Sequence, residues 1–455
     1  MPVQWCAGFE AGDANELVGV AGSVSVIEAA ARTGRYGVRI APPAGGDSAY
    51  ITLANTLTGF GTPSVTSRSA YVLGFAFRVV APPTAPGTWE YLLYIANYTQ
   101  HRASLSLSGE GRLALRIGAM DAPVSATFGP VVPGRWHYCE LAVLADSFVW
   151  RMDGQLVATG AAAPGGIMNR AYLGKRIDLQ EQGYTLDVDD LYTETAPDFL
   201  GPTARVLRLA PNADGETVAW VRHGIGLTSF WQHLADVPHD GDVTYVSKLL
   251  AAGTFGVGFE DIALQAGEQI AAVTAAVVWR STTSANGSAY LRVGDHSDGA
   301  GGAPVSTSYD TAFVLSRLVP GTSRKWTKAD VDAVVAGAAM ASGTELCCTQ
   351  IGLHVLLYAP PAATSMFRFQ RKDTPMNFVA MEPLVASGSD QPIEVPRGAT
   401  LLVHPLEAGV EVRDRPGATA KLTITAGSLV PLGPSLGQKV YLRATAGTTI
   451  ELALT

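Results

Sequence analysis

Residues 184–201 read Tyr-Thr-Leu-Asp-Val-Asp-Asp-Leu-Tyr-Thr-Glu-Thr-Ala-Pro-Asp-Phe-Leu-Gly. In the first half, apolar Leu186, Val188 and Leu191 alternate with acidic Asp187, Asp189 and Asp190, the pattern of a half-buried strand that slips register near Asp190. In the second half, Pro197, Gly201 and Pro202 stop the strand. The stretch thus closes one β-unit and opens the next. Three clustered carboxylates raise calcium as an alternative, because hard cations take oxygen ligands. Successive strand residues point to opposite faces, however, which would separate Asp189 from Asp190. A solvated strand face is therefore the expectation, and no metal site is assigned.

Working outward, the 455 residues suffice for several domains. Charged residues make up only 16%, against 49 Gly and 27 Pro, which favours many short strands joined by turns over long surface helices. The net charge is −8 and Lys and Arg form no basic run, so a nucleic-acid groove is not expected. No apolar run approaches the ~18–20 residues of a membrane-spanning helix. The start, Met-Pro-Val-Gln-Trp, lacks a signal-peptide pattern, so a soluble chain that is not exported by that route is expected. Cys6, Cys139, Cys347 and Cys348 show no zinc spacing and read as buried free thiols.

Residues 1–197 contain short alternating runs, including 37–40, 71–80, 91–96, 103–107, 137–144 and 147–152. Asp153-Gly154 marks a hairpin and Ser108-Gly-Glu-Gly111 a looser turn. Such strands bury their apolar faces as two packed sheets. Residues 198–371 repeat the pattern, with strands at 204–209, 270–280 and 350–358 and a hairpin centred on Asn286-Gly287. One helix is expected from about Lys328 to Met340, capped by Thr327 with Asp330 three residues on. Residues 372–455 hold strands at 399–403, 410–413, 421–425, 440–445 and 448–454, enough for a small barrel or sandwich. The expected fold class is all-β, in three modules of 1–197, 198–371 and 372–455.

Cys6-Ala-Gly-Phe-Glu-Ala-Gly12, the Gly37–Ile40 strand, Trp136–Leu141 before the Asp153-Gly154 turn and the closing Asp187–Tyr192 together resemble a concanavalin A-like, laminin-G-type jelly roll. Such domains often bind glycans or calcium, but no binding residue carries over to this sequence. Burial accounts for Trp136 and Trp150 better than sugar stacking does. Asp198-Phe-Leu-Gly201, Pro211–Gly215 with Trp220, Asp240–Val246, Trp326-Thr327 and Gly352–Tyr358 resemble a β-domain of tailed bacteriophage virions that follows a laminin-G-like domain. Ala426–Pro431 and Gly447–Thr449 resemble a small phage β-module, with Pro416-Gly417 departing from the expected turn.

Catalytic patterns are weak. No Gly-x-Ser-x-Gly elbow occurs, and Ser387-Gly-Ser-Asp390 reads as a turn. His233 and His239 with Asp236, Asp240 and Asp242 form the densest metal-like group but fit a loop of turn-forming acids. Glu90, Glu110, Asp121 and Glu140 are carboxylates without an evident cleft, Asp295–Gly299 reads as a loop tip, and Gly299–Gly302 fits no phosphate template. No catalytic, cofactor-binding or metal residue is assigned, and the chain is expected not to be an enzyme. What the resemblance implies is a structural component of a phage particle (tail fibre, tail-associated or capsid-decorating), assembled in the host cytoplasm. Its partners would be other virion proteins, copies of itself in a closed oligomer such as a trimer, and a cell-surface glycan. A free lectin and a polysaccharide-degrading tailspike are the alternatives.

Overall fold

The computed structural model describes most of residues 3–360, the longer omissions being 43–47, 56–70, 97–100, 163–167, 176–182 and 195–198, and the strands between 379 and 454. The fold is all-β. Contacts divide the chain into two compact units, Met1–Pro360 and Pro361–Thr455. No helix among the described residues is long and apolar enough to cross a membrane.

Within the first unit, residues 3–194 form one pair of sheets. The eight-stranded sheet runs Gln155–Ala161, Ser147–Met152, Trp136–Val143, Tyr71–Ala81, Thr185–Glu194, Gly37–Ile40 and Val24–Ile27, with Val3–Ala7 also on Thr185–Glu194. Opposite it, the seven-stranded sheet runs Ala126–Phe128, Leu113–Ile117, His101–Ser108, Trp89–Ala96, Arg170–Lys175, Ala49–Asn55 and Gly19–Ala21. Alternate residues from both, such as Phe75, Phe77, Leu105, Leu173 and Leu186, meet in a core around the fully buried Trp150. Trp136 instead lies under the Arg78 guanidinium, 4.9 Å from its ring centroid. The hairpin at Asp153-Gly154 has positive φ at both positions, 51° and 78°, as a type I′ turn requires.

Residues 205–358 form a second pair of sheets, each with six strands. One is centred on Glu345–Tyr358 and Gln269–Ser281; the other runs Pro211–Thr217, Gly253–Phe259, Val335–Gly343, Ala285–Val293 and His296–Gly299, with Ala303–Pro304 on Ala285–Val293. Two local expectations are corrected here. The helix stops at Asp332, although its Thr327–Asp330 capping box is intact. The Ala-rich residues that follow are the strand Val335–Gly343, because tertiary contact overrides helix propensity. A Cβ on Gly337 would come within 1.9 Å of the Phe255 carbonyl oxygen, so only small residues let these strands approach. Asn286-Gly287 is not a turn but lies inside Ala285–Val293, where Gly287 packs against Trp279, Val305 and Leu346. Asp214-Gly215 sits in a strand, at an irregularity in its pairing with Gly253–Phe259.

The strand Glu345–Tyr358 is buried at all but its first residue, and so is Thr185–Glu194. Buried on both faces, such strands lose the in–out alternation of a surface strand. The reason is that the two sandwiches pack together. Cys6, Ala76, Tyr138 and Tyr192 from the first meet Leu200, Val206, Ala272 and Leu356. The four cysteines are free and buried.

In the unit Pro361–Thr455, a five-stranded sheet runs Val379–Ala380, Thr449–Leu454, Thr400–Pro405 and Val430–Pro434, with Leu384–Val385 on Thr449–Leu454. A four-stranded sheet runs Gln391–Glu394, Lys439–Arg443, Val410–Arg413 and Leu422–Ile424. Pro416-Gly417, Ser387–Asp390 and Gly447-Thr448 lie outside the described residues.

Candidate functional site

Asp187, Asp189 and Asp190 are fully buried, which corrects the expectation of a solvated strand face. Pairing with Tyr71–Ala81 shifts between Asp189 and Tyr192, and Asp190 takes a left-handed φ of 50°, a conformation that a short polar side chain tolerates. The bulge brings the two carboxylates together instead of onto opposite faces. Asp189 accepts the backbone N–H of Arg32 (2.7 Å), Thr33 (3.0 Å) and Asp190 (2.7 Å). Asp190 accepts Arg32 Nη1 (2.8 Å), Thr33 Oγ1 (2.7 Å) and, from the second sandwich, the Val206 N–H (2.8 Å). Arg32 also donates to the carbonyls of Ala204 and Pro202. Asp187 is shared by Arg39 and Arg78, at 2.7 and 2.6 Å. These oxygens already have partners, and no group of three metal-ligating side chains occurs among the described residues.

Two more carboxylates complete this seam. Glu140 accepts the Tyr192 hydroxyl (2.7 Å) and the Gly201 N–H (2.8 Å); burial raises its pKa. Glu10 accepts the N–H groups of Arg35 and Tyr36, and burial lifts its pKa from 4.5 to about 7. Burial also raises Asp189, reinforced by the neighbouring Asp190. The arrangement ties the two sandwiches together.

The other singled-out residues do not converge. Asp236 and Asp240 accept the Thr244 hydroxyl, Asp242 pairs with Arg280 and Tyr309, and His233 Nδ1 lies 2.9 Å from the Ser229 carbonyl. His239 stands beside Asp13 and Tyr309. Glu90 is buried on Trp89–Ala96, while Glu110 caps a turn by accepting the Gly87 N–H. Asp121 lies outside the described residues. His296–Gly299, expected as part of a loop tip, forms a short strand.

The face with the composition of a binding surface is the outer side of the seven-stranded sheet. Ala103 and Leu105 point into the core, so Ser104 between them points outward. Cross-strand pairing then sets Thr52, Tyr172, Tyr94, Ser104 and Arg116 in one row over five strands, about 19 Å at ~4.8 Å per strand. Tyr50 joins edge-on to Tyr172 at 5.0 Å, Tyr172 lies 6.4 Å from Tyr94, and His101 and Tyr91 lie 5.2 and 6.1 Å from Tyr94. Tyr50, Tyr91, Tyr94 and Arg116 are half-buried, whereas Ser104 is fully buried. A bulge between Tyr91 and Leu93 puts both Leu92 and Leu93 into the core and so brings Tyr91 and Tyr94 to the same side. Burial lowers the His101 pKa, and the ring nitrogen Nδ1 is 2.6 Å from the Gly118 carbonyl.

No family model matches the chain, and no curated protein is similar to it. Among solved structures it is similar to a sialidase from Trypanosoma rangeli in complex with 2,3-difluoro-KDN (TM-score 0.29, 16% identity, 38% of this chain and 27% of the sialidase). It is also similar to the alginate lyase AlgAT5 of polysaccharide lyase family 7 (TM-score 0.29, 9% identity, 35% of this chain and 78% of the lyase). A third is domain 4 of AbnA, an extracellular arabinanase from Geobacillus stearothermophilus, in complex with arabinotriose (TM-score 0.32, 14% identity, 43% of this chain and 93% of that domain). The chain thus spans about a quarter of the sialidase's length. These neighbours are carbohydrate-active enzymes or a domain of one, and the expectation that the chain is not an enzyme is withdrawn on that finding. At these TM-scores they assign it no activity.

Proposed function

We propose that the chain is an adhesive structural component of a tailed phage particle, and that its amino-terminal sandwich holds a surface glycan on the tyrosine row. The observation that carries the glycan contact is the set Tyr50, Tyr172, Tyr94 and Tyr91, joined ring to ring on one outward sheet face. Tyrosine rings offer an apolar surface to the C–H faces of pyranoses and hydroxyls to their rims, at low conformational cost. The phage placement is supported by the order of sequence words shared with virion β-domains.

The test is titration of the full chain with a panel of oligosaccharides, beside a Tyr94→Ala variant. Binding that weakens at least about tenfold in the variant, a loss of ~1.4 kcal/mol, supports the reading. Equal binding by both chains removes the tyrosine row from recognition. Chromatography of the recovered saccharides shows in the same experiment whether the bound glycan is cleaved. Mass spectrometry of purified particles tests the virion placement, and light scattering tests a closed trimer.

A further inference from the structure

Several arginines of this unit are matched to acids. Arg32, Arg39 and Arg78 pair with Asp190 and Asp187; Arg205, Arg280, Arg292 and Arg324 pair with Glu268, Asp242, Glu216 and Asp330. Arg116 is among those that are not. It is half-buried at the end of the tyrosine row and has no ion-pair partner among the described residues. Its positive charge reaches Tyr91, where it works against the rise in pKa that burial causes, and His101, which it helps keep neutral. Beside it, in register on the next strand, the fully buried Ser104 hydroxyl has no hydrogen-bond partner among the described residues. No carboxylate points outward among the described residues of the row and its flanking rings.

A partly desolvated guanidinium and a buried, unmatched hydroxyl side by side are two donors without an acceptor, and each is a cost that a ligand oxygen would offset. A guanidinium fork fits a carboxylate with two parallel hydrogen bonds. The aromatic rings alongside supply the surface on which the rest of a sugar lies. We infer that the glycan bound here is acidic, a chain carrying uronic or sialic acid, with its carboxylate on Arg116 and Ser104. This inference rests on the glycan reading above and adds its charge and polarity along the row.

The experiment uses the full chain and chemically matched probes: an oligogalacturonide, the same oligomer fully methyl-esterified, sialyllactose and lactose. An acidic probe is expected to bind about tenfold more tightly than its neutral counterpart in low salt, with the preference shrinking as ionic strength rises. Arg116→Gln should erase that preference and leave the thermal midpoint unchanged, since no intramolecular ion pair is lost. Ser104→Ala should reduce acidic binding alone. Tyr94→Ala should weaken both forms together. Equal binding of acidic and neutral partners, or a preference that survives Arg116→Gln, overturns the acidic inference while the glycan reading stands. Failure of every probe to bind overturns the glycan reading itself.

Discussion

The two sheets of the amino-terminal sandwich share one core but use their outer faces in opposite ways. On the eight-stranded sheet Asp187, Asp189, Asp190 and Glu140 are buried and hydrogen-bonded, Glu140 through one of its two oxygens, and residues 201–206 close over Asp190 and Glu140. On the seven-stranded sheet Tyr50, Tyr91 and Tyr94 remain half-buried and Tyr172 is buried, with Arg116 and the Ser104 hydroxyl unmatched among the described residues. Saturated polar groups fix a joint, whereas unmatched ones are where a ligand can gain. The first face builds, and the second is the face proposed to bind.

Four experiments sharpen or break that contrast. The largest effect is expected from Arg32→Ala, which leaves Asp190 buried without its cation and strips donors from two carbonyls of the second sandwich. It should lower stability by about 3–5 kcal/mol, read by denaturant unfolding; a loss below about 1 kcal/mol would mean the joint does not depend on this pair. The second concerns pH. Glu10 has its folded pKa raised by burial from 4.5 to about 7, so the native state holds a proton that the unfolded chain has released. Its contribution is fully present below about pH 4.5 and is lost as pH rises through 7, on the order of 3 kcal/mol. Glu10→Gln keeps an acceptor for the Arg35 and Tyr36 N–H groups and should flatten the stability profile across that window; an unchanged slope would contradict the assignment. Third, Glu140→Ala orphans the buried Gly201 N–H and should cost about 1–3 kcal/mol, again by unfolding. The smallest change in stability, within about 1 kcal/mol, is expected for Tyr94→Ala on the open face, although it should affect glycan binding most. A stability loss matching that of Arg32→Ala would make the tyrosine row a structural ladder and erase the contrast.

Much of this was legible from the sequence. The all-β class, the Asp153-Gly154 turn and the Thr327–Asp330 cap follow from local chemistry alone. Both functional faces were obscured by the same device, a β-bulge. Strict alternation places Asp189 opposite Asp190 and Tyr91 opposite Tyr94, and in each case the extra residue reverses that assignment. The slip near Asp190 was visible as two consecutive acids, but the one at Tyr91 was hidden among apolar neighbours. The strand Val335–Gly343 escaped for a different reason: alanine and glycine satisfy a close inter-strand approach that no local propensity records. The tyrosine row depends on register between strands distant in sequence, so only pairing could assemble it.

The grip of Arg32 and Asp190 on residues 202–206 also has a mechanical consequence. The segment that enters the second sandwich is pinned sideways to a central strand of the first, so tension on it passes into an eight-stranded sheet instead of stretching a tether. Under load, the two sandwiches should behave as one stiff element, with no low-force separation before unfolding.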